Sequence, residues 1–375
     1  FVGSLVAVLV MCLLPNAGSF GMAVSTAMIF GLVSLMFLDT SINMAMQPFK
    51  MMVGDMVNEK QKGLAYSIQS FLCNAGSLVG FLFPFIFTWI GISNIAPQGV
   101  VPDSVIFSFY IGAAILILCV IYTTVKVKEM PPAEYAEYHG ITEEEEKEKI
   151  NMVKLLVKAP KAFWTVGLVQ FFCWFAFIFM WTYTNGSVAA NVFDAPTVET
   201  AVNGVSKVML DTKSIQYQDA ADWVGVLFAV QAIGSVLWAV CIPLFKDRKL
   251  IYSLSLVLGG LGFISTYFVH NQYVLFISFL LIGCAWAAML ALPFTILTNA
   301  LSGGHMGTYL GLFNGTICIP QIVAASLGGS ILALFTPKGM LPPEINMLVM
   351  AGVMLIIGAV CVYFIKETKG EQVKA

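Results

Sequence analysis

Apolar runs long enough to cross a lipid bilayer recur along this chain, and they limit its fold more than any other feature. A helix needs about 20 predominantly apolar residues to span the hydrocarbon core. Ten segments are proposed: 1–14, 22–47, 64–92, 104–125, 162–186, 222–245, 250–269, 273–298, 307–335 and 345–365. Within lipid every backbone N–H and C=O must be satisfied by the protein itself, so runs of this length select helices. Only 11% of the 375 residues are charged and 59% are hydrophobic, against roughly 25% charged in soluble domains. The expected fold class is therefore all-α integral membrane. The first segment is shorter than a full span and starts at Phe1. With no basic region and no small-residue cleavage site, it reads as a truncated helix and not as a signal peptide.

Basic residues set the expected orientation. Sixteen of the 19 Lys and Arg fall in alternate loops on one side, and only Lys207, Lys213 and Lys338 fall on the other. The first side is expected to be cytoplasmic, with the C-terminal tail, in the inner or plasma membrane. The eight cysteines all lie within proposed spans, none in a C-x-x-C pair, which fits small apolar packing residues. A net charge of −2 gives no footprint for nucleic acid, so none is expected as a partner.

Two polar stretches interrupt the apolar pattern. On the cytoplasmic side, residues 126–161 hold a capping box at Thr142 and Glu145 and i,i+4 pairs at Glu143–Lys147 and Glu145–Lys149. Ile150, Val153 and Val157 give this segment an apolar face, and Pro160 ends it. It is expected to be an amphipathic linker helix lying on the membrane surface. Ser187–Asp222 is expected to be an exterior loop, without metal-ligand spacing.

An internal repeat orders the spans. MQPFKMMVGDMV ends the second and LALPFTILTNAL ends the eighth, with Pro48-Phe49 and Pro293-Phe294 in matching places. Each is followed by a short loop reaching a glycine, Gly63 or Gly307, that opens the next helix. The repeat unit is then six helices. The expected domains are an incomplete first half of four spans (1–125), the linker (126–161), and a second half of six spans with the tail (162–375). Two helices are expected to precede Phe1.

Polar stripes within the spans point to function. In FLDTSINMAMQPFK, at 100° per residue, Asn43, Gln47 and Lys50 lie about 40°, 80° and 20° from Asp39. All four share one face. Asp39 is the one acidic residue well inside a span, about 16 Å from Lys50 along the helix. A carboxylate at that depth must be hydrated, paired or protonated, so it suits a group that binds a proton or cation. A plain interhelical hydrogen bond is the alternative, and for Asn43 and Gln47 it is equally open. In VGLVQFFCWFAFIFMWTYTNG, Trp174, Ile178, Trp181 and Asn185 fall within about 80° of Gln170. Ring faces beside amides suit a hydroxylated ring such as a sugar, although Trp181 and Tyr183 also fit an aromatic interface belt. A third stripe joins Asn314 and Gln321 across Pro320, and Gln69 and Asn74 add polarity to the third span.

These residues bear a family resemblance. Asp39, Asn43, Pro48, Lys50 and Asp55 resemble the D-x-x-x-N-x-x-x-x-P-x-R-x-x-x-x-D pattern of sucrose- and maltose-type sugar transporters, with lysine in place of the arginine. That group is close to the glycoside–pentoside–hexuronide cation symporters of the major facilitator superfamily. Leu310–Gln321 resembles its G-x-x-N-x-x-x-x-x-P-Q helix through Gly311, Asn314, Pro320 and Gln321, and VQFFCWFAFIFMW resembles the first helix of its second half. The resemblance implies a major facilitator fold of two six-helix halves, working as a monomer by alternating access. It implies proton coupling at Asp39 and Lys50, and a cytoplasmic gate at Asp55 and at Arg248 in the segment Lys246–Lys249. Candidate substrate-binding residues are Asn43, Gln47, Gln69, Asn74, Gln170, Trp174, Asn314 and Gln321.

The expected function is import of a di- or oligosaccharide or a glycoside by proton symport. Sodium coupling, export of another small solute, and a sugar sensor remain alternatives on the same fold. An enzyme is not expected: the three histidines lie in or beside loops, and no H-E-x-x-H, nucleophile elbow or phosphate-cradling loop occurs. No cofactor or bound metal is expected.

Overall fold

In the computed structural model, each of the ten apolar segments is helical. The structure describes all residues except 20, 22–23, 59–60, 94–100, 129–130, 132–133, 135–151, 203–204, 301–305, 338 and 366–375. The helices are α1 (Val2–Leu13), α2 (Val24–Met56), α3 (Lys62–Trp89), α4 (Asp103–Lys126), α5 (Met152–Lys158), α6 (Lys161–Asn191) and α7 (Ile215–Cys241). After them come α8 (Arg248–Ser265), α9 (Leu275–Ala300), α10 (Met306–Phe313), α11 (Gly315–Phe335) and α12 (Ile345–Val362). Among the described residues, eight helices are long and apolar enough to cross a membrane. This is an all-α multi-pass membrane protein.

Local chemistry sets several helix ends. Ser214 caps α7, its hydroxyl accepting from the Tyr217 N–H at 3.2 Å. Asp247 caps α8 by accepting from the N–H groups of Lys249 and Leu250 at 3.0 and 3.1 Å. Such caps satisfy amides that have no partner in the first helical turn. Pro160 separates α5 from α6 as the residue before the first turn of α6. The capping box at Thr142 and Glu145 lies outside the described residues.

Ser187–Asp222 is not a simple loop. Helix α6 continues to Asn191, and the segment then forms an antiparallel hairpin of β1 (Thr197–Val202) and β2 (Val205–Leu210). Its register runs from Thr197 opposite Leu210 to Val202 opposite Val205. Asp194 enters the hairpin at φ 49°, a left-handed conformation that aspartate tolerates better than most residues. The Asp211 N–H donates to the Pro196 carbonyl at 2.8 Å and ties the hairpin base. The ninth apolar segment divides its helix between α10 and α11 at Asn314, with Pro320 further along inside α11.

The chain divides into two compact units, Phe1–Val57 with Val79–Glu148, and Asn58–Leu78 with Lys149–Ala375. In the first, α1 packs on α2 and α4. Gly3 makes this possible, because a Cβ there would stand 2.9 Å from the Ser41 carbonyl oxygen. In the second, α6 packs on α11 and α12, α7 on α9, and α8 on α9 and α12. Small residues let these backbones approach, as lipid tails give no hydrophobic incentive for helices to associate. A Cβ on Gly234 of α7 would sit 2.5 Å from the Leu280 carbonyl oxygen of α9. Gly260 of α8 and Gly352 of α12 face one another in the same way.

Candidate functional site

The most developed polar and aromatic arrangement in the second unit starts from a proline. Pro293 lies inside α9, and with no N–H it cannot bond the carbonyl four residues earlier, that of Met289. A free carbonyl inside a membrane protein must find another donor. Gln170 of α6 supplies it: its Nε2 donates to the Met289 oxygen at 3.0 Å. This bond fixes the α6 face that turns toward α9. Gln170 is 1% exposed, and its Oε1 has no hydrogen-bond partner among the described residues.

One turn along the same face, three tryptophans converge. Trp286 of α9 meets Trp174 at a ring-centroid distance of 5.8 Å and 79°, and Trp181 at 5.6 Å and 84°. Trp174 and Trp181 lie 6.5 Å apart. Beneath them, buried Phe177 approaches Trp286 at 4.9 Å and Phe263 of α8 at 5.9 Å. The near-perpendicular Trp contacts place the positive edge of one ring against the negative face of another. Phe177 and Phe263 are fully buried, whereas Trp174 and Trp286 are half-buried and Trp181 is exposed. The result is a rigid aromatic floor with partly open tryptophan rings. The Trp174 Nε1–H is buried without a partner among the described residues. At the far end of the face, Asn185 donates to the Tyr217 hydroxyl at 2.9 Å, leaving its Oδ1 buried and without a partner among the described residues.

The predicted stripe of Gln170, Trp174, Trp181 and Asn185 thus engages α9 and α7 along one face. Unpartnered amide oxygens and an indole N–H beside ring faces can take the hydroxyls and the apolar face of a hydroxylated ring. Trp286 is the residue that the sequence does not reveal. It stands alone among small residues in GCAWAAML, and only the α6–α9 contact gives it companions. Asn74, also in the second unit, is fully buried, with Nδ2 donating to the Ser70 carbonyl at 2.7 Å and Oδ1 without a partner among the described residues. Gln69 is half-buried. Asn314 uses its amide on Cys318 Sγ at 3.6 Å, within its own helix turn, and Gln321 is half-buried.

The first unit carries the other stripe. Gly3 of α1 abuts α2 at Ser41, Met44 and Ala45, which lie on average opposite Asp39 on the helix. The Asp39 face therefore points away from α1, and Asp39 is exposed. Asn43 donates to the Asp39 carbonyl at 2.9 Å and Thr40 to the Met36 carbonyl at 2.7 Å, both bonds within the helix. Lys50 is half-buried. The Gln47 and Asp55 side chains lie outside the described residues. Arg248 is exposed at the start of α8. Among the described residues, no group of three or more His, Cys, Asp or Glu is placed to hold a metal.

The family model of the Major Facilitator Superfamily matches residues 188–375. The chain belongs to the major facilitator superfamily. No curated protein matches the sequence. Among solved structures, the major facilitator transporter FucP in its outward conformation aligns with a TM-score of 0.65 at 12% identity, over 98% of this chain and 82% of FucP. A second structure, of the E. coli fucose:proton symporter FucP, aligns at 0.62 and 13%, over 98% and 84%. A bacterial homologue of the human lysosomal transporter Spinster, inward-facing and occupied, aligns at 0.50 and 16%, over 97% and 81%. At these identities the likeness is one of fold. For a major facilitator protein, the polar stripes and the tryptophan floor are then the features to be explained.

Proposed function

We propose that this chain is a secondary active transporter that imports a sugar, either a di- or oligosaccharide or a glycoside, by proton symport with alternating access. One observation carries the sugar assignment: three tryptophan rings meet beside the unpartnered Gln170 Oε1 and Trp174 Nε1–H. An aromatic face favours the apolar face of a pyranose, and a buried polar atom favours a ligand hydroxyl because leaving it unpaired costs about 1–3 kcal/mol. Gln69, Asn74, Asn314 and Gln321 are proposed to complete the polar contacts in the second unit, and Asn43 and Gln47 are proposed as substrate-binding residues of the first unit.

Asp39 is proposed as the proton site, with Lys50 modulating it. It is an acid on a membrane-spanning helix, exposed on the face that turns from α1, and water or a neighbouring helix must meet it. Proton and sugar binding are then linked, each raising affinity for the other by the same factor. Asp55 in the first unit and Arg248 in the second are each proposed as cytoplasmic gate residues, the C-terminus as cytoplasmic, and the inner or plasma membrane as the location of a monomeric transporter. The E. coli FucP structure is described as a fucose:proton symporter, which accords with this reading at the level of fold.

The test is uptake of labelled solutes into proteoliposomes containing the full-length protein, under an inward proton gradient. At least one disaccharide or glycoside is expected to accumulate above its outside concentration and to leak back when a protonophore is added. Accumulation of amino acids or peptides with no sugar uptake would overturn the substrate class. Gradient-independent equilibration of sugar would overturn the coupling.

A further inference from the structure

Glu344 lies just ahead of α12, where a side chain would ordinarily cap the helix, yet it makes no cap hydrogen bond. Its carboxyl turns instead toward α6 and fills the space left by Gly186. A Cβ at that glycine would stand 2.5 Å from the carboxyl carbon. On the same α6 face, the Tyr183 ring reaches α11, its hydroxyl 2.6 Å from where a Cβ on Gly328 would be. Two glycines thus admit one acid and one phenol to the junction of α6, α11 and α12.

Among the described residues, little around this acid stabilises a charge. Tyr183 is the titratable group of α6 that interacts with it. The outer halves of α11 and α12 contribute no titratable residue, and no charged partner among the described residues shifts Glu344. Burial alone pushes its carboxyl up to about 7. Beside it, a small cleft of about 10 Å³, room for about one water, opens between the ends of α6, α8, α9 and α12, lined in part by Ser187, Asn191, Thr266 and Ile345. Ser187 follows Gly186 and Ile345 follows Glu344, so the cleft brings polar groups to the edge of the half-buried acid.

We propose that Glu344 is a proton-binding site at the basic-poor end of the second unit, neutral while it occupies the Gly186 notch and ionised when α6 and α12 separate there. The proton exchanges with water in the adjoining cleft, and no other bond changes. Protonation favours the closed junction, and loss of the proton favours the open one, because only the open form hydrates the carboxylate. This site is distinct from Asp39 and does not depend on the identity of the solute.

The experiment is a pH titration of the full-length protein in lipid by infrared difference spectroscopy, comparing wild type with Glu344→Gln and Gly186→Ala. A protonated-carboxyl C=O band is expected to titrate near pH 7 in wild type and to be missing in Glu344→Gln. In Gly186→Ala the methyl evicts the carboxyl, so the band should titrate about two pH units lower. Thermal melts give a second reading. The folded acid binds its proton more tightly than the unfolded one, whose ordinary value is 4.5. Its contribution is therefore fully present below about pH 4.5 and is lost as the pH rises through about 7. Glu344→Gln should gain melting temperature over wild type across that window and level off above it. A band unchanged in Glu344→Gln, a midpoint below about 5, or a band removed by sodium at constant pH would each overturn the proposal. The last outcome would make it a cation site.

Discussion

Gly283→Val is expected to lower the yield of folded protein severalfold. A Cβ at Gly283 would overlap the carbonyl oxygen of Gln231 and stand 2.7 Å from the Ser235 nitrogen and 3.0 Å from the Gly234 carbonyl carbon. These are backbone atoms of α7 and cannot rotate away. Gly234 repeats the contact from the other side, where a Cβ would stand 2.9 Å from the Leu280 Cα. Any side chain at 283 must push α7 and α9 apart along the seam where both are most closely packed. Inserting even single methylenes into close-packed interiors costs typically about 1–3 kcal/mol, and valine against backbone belongs at or above the top of that range. Total stability is only about 5–15 kcal/mol, so the monodisperse fraction in detergent should fall severalfold and the melting temperature by many degrees. Gly329→Ala is the control. A methyl added at this position on α11 would meet no described atom within 4 Å, and the change is expected to leave yield and melting temperature nearly unmoved. Equal damage from both would contradict the packing account.

The second large effect is expected at Trp286. This ring is the common neighbour of Trp174, Trp181 and Phe177, so its removal opens the centre of the floor. One tryptophan face offers about 100 Å² of apolar contact, half of the ring's surface, worth roughly 2.5 kcal/mol at 25 cal/mol per Å². Trp286→Ala should therefore raise the sugar KM about 60-fold. Trp286→Phe retains a flat face and should lose only about fivefold. Purely structural damage would lower the yield of active protein, hence the maximal rate, and leave KM alone. Binding through the ring moves KM first. Unchanged KM in Trp286→Ala would remove the tryptophan floor from the site.

These two residues show what periodicity can and cannot locate. Each apolar run is visible because crossing lipid demands length and composition that soluble helices lack. The stripe on α6 is visible because 3.6 residues per turn fix angular positions from sequence alone, and Gln170 does face α9. The partner of Gln170 is partly legible too: a proline frees the carbonyl four residues before it, so Pro293 points to Met289. Which helix brings the donor is not. Trp286 belongs to the same class, since its meaning arises from which two helices touch.

Glu344 is hidden in the sequence for another reason. It reads as a loop acid, and only the space left by Gly186, far earlier in the chain, lets its carboxyl pack against α6. The hairpin at Thr197–Leu210 is hidden because two six-residue strands with threonine, glutamate and lysine carry little signal beside long apolar runs. On α2, the angular reading of Asp39, Asn43 and Lys50 gives a face, and the contact of Gly3 with the opposite side accords with it. The roles of those residues rest on chemistry that only transport can test.

The most direct test of the central claim is the pH of a lightly buffered suspension of cells expressing the complete gene, recorded as each sugar is added. Wild type is expected to alkalinise the medium with the transported sugar, and Asp39→Asn, equally expressed, is expected to give no alkalinisation. Sugar uptake without alkalinisation in wild type, or alkalinisation undiminished in Asp39→Asn, would contradict proton symport through Asp39.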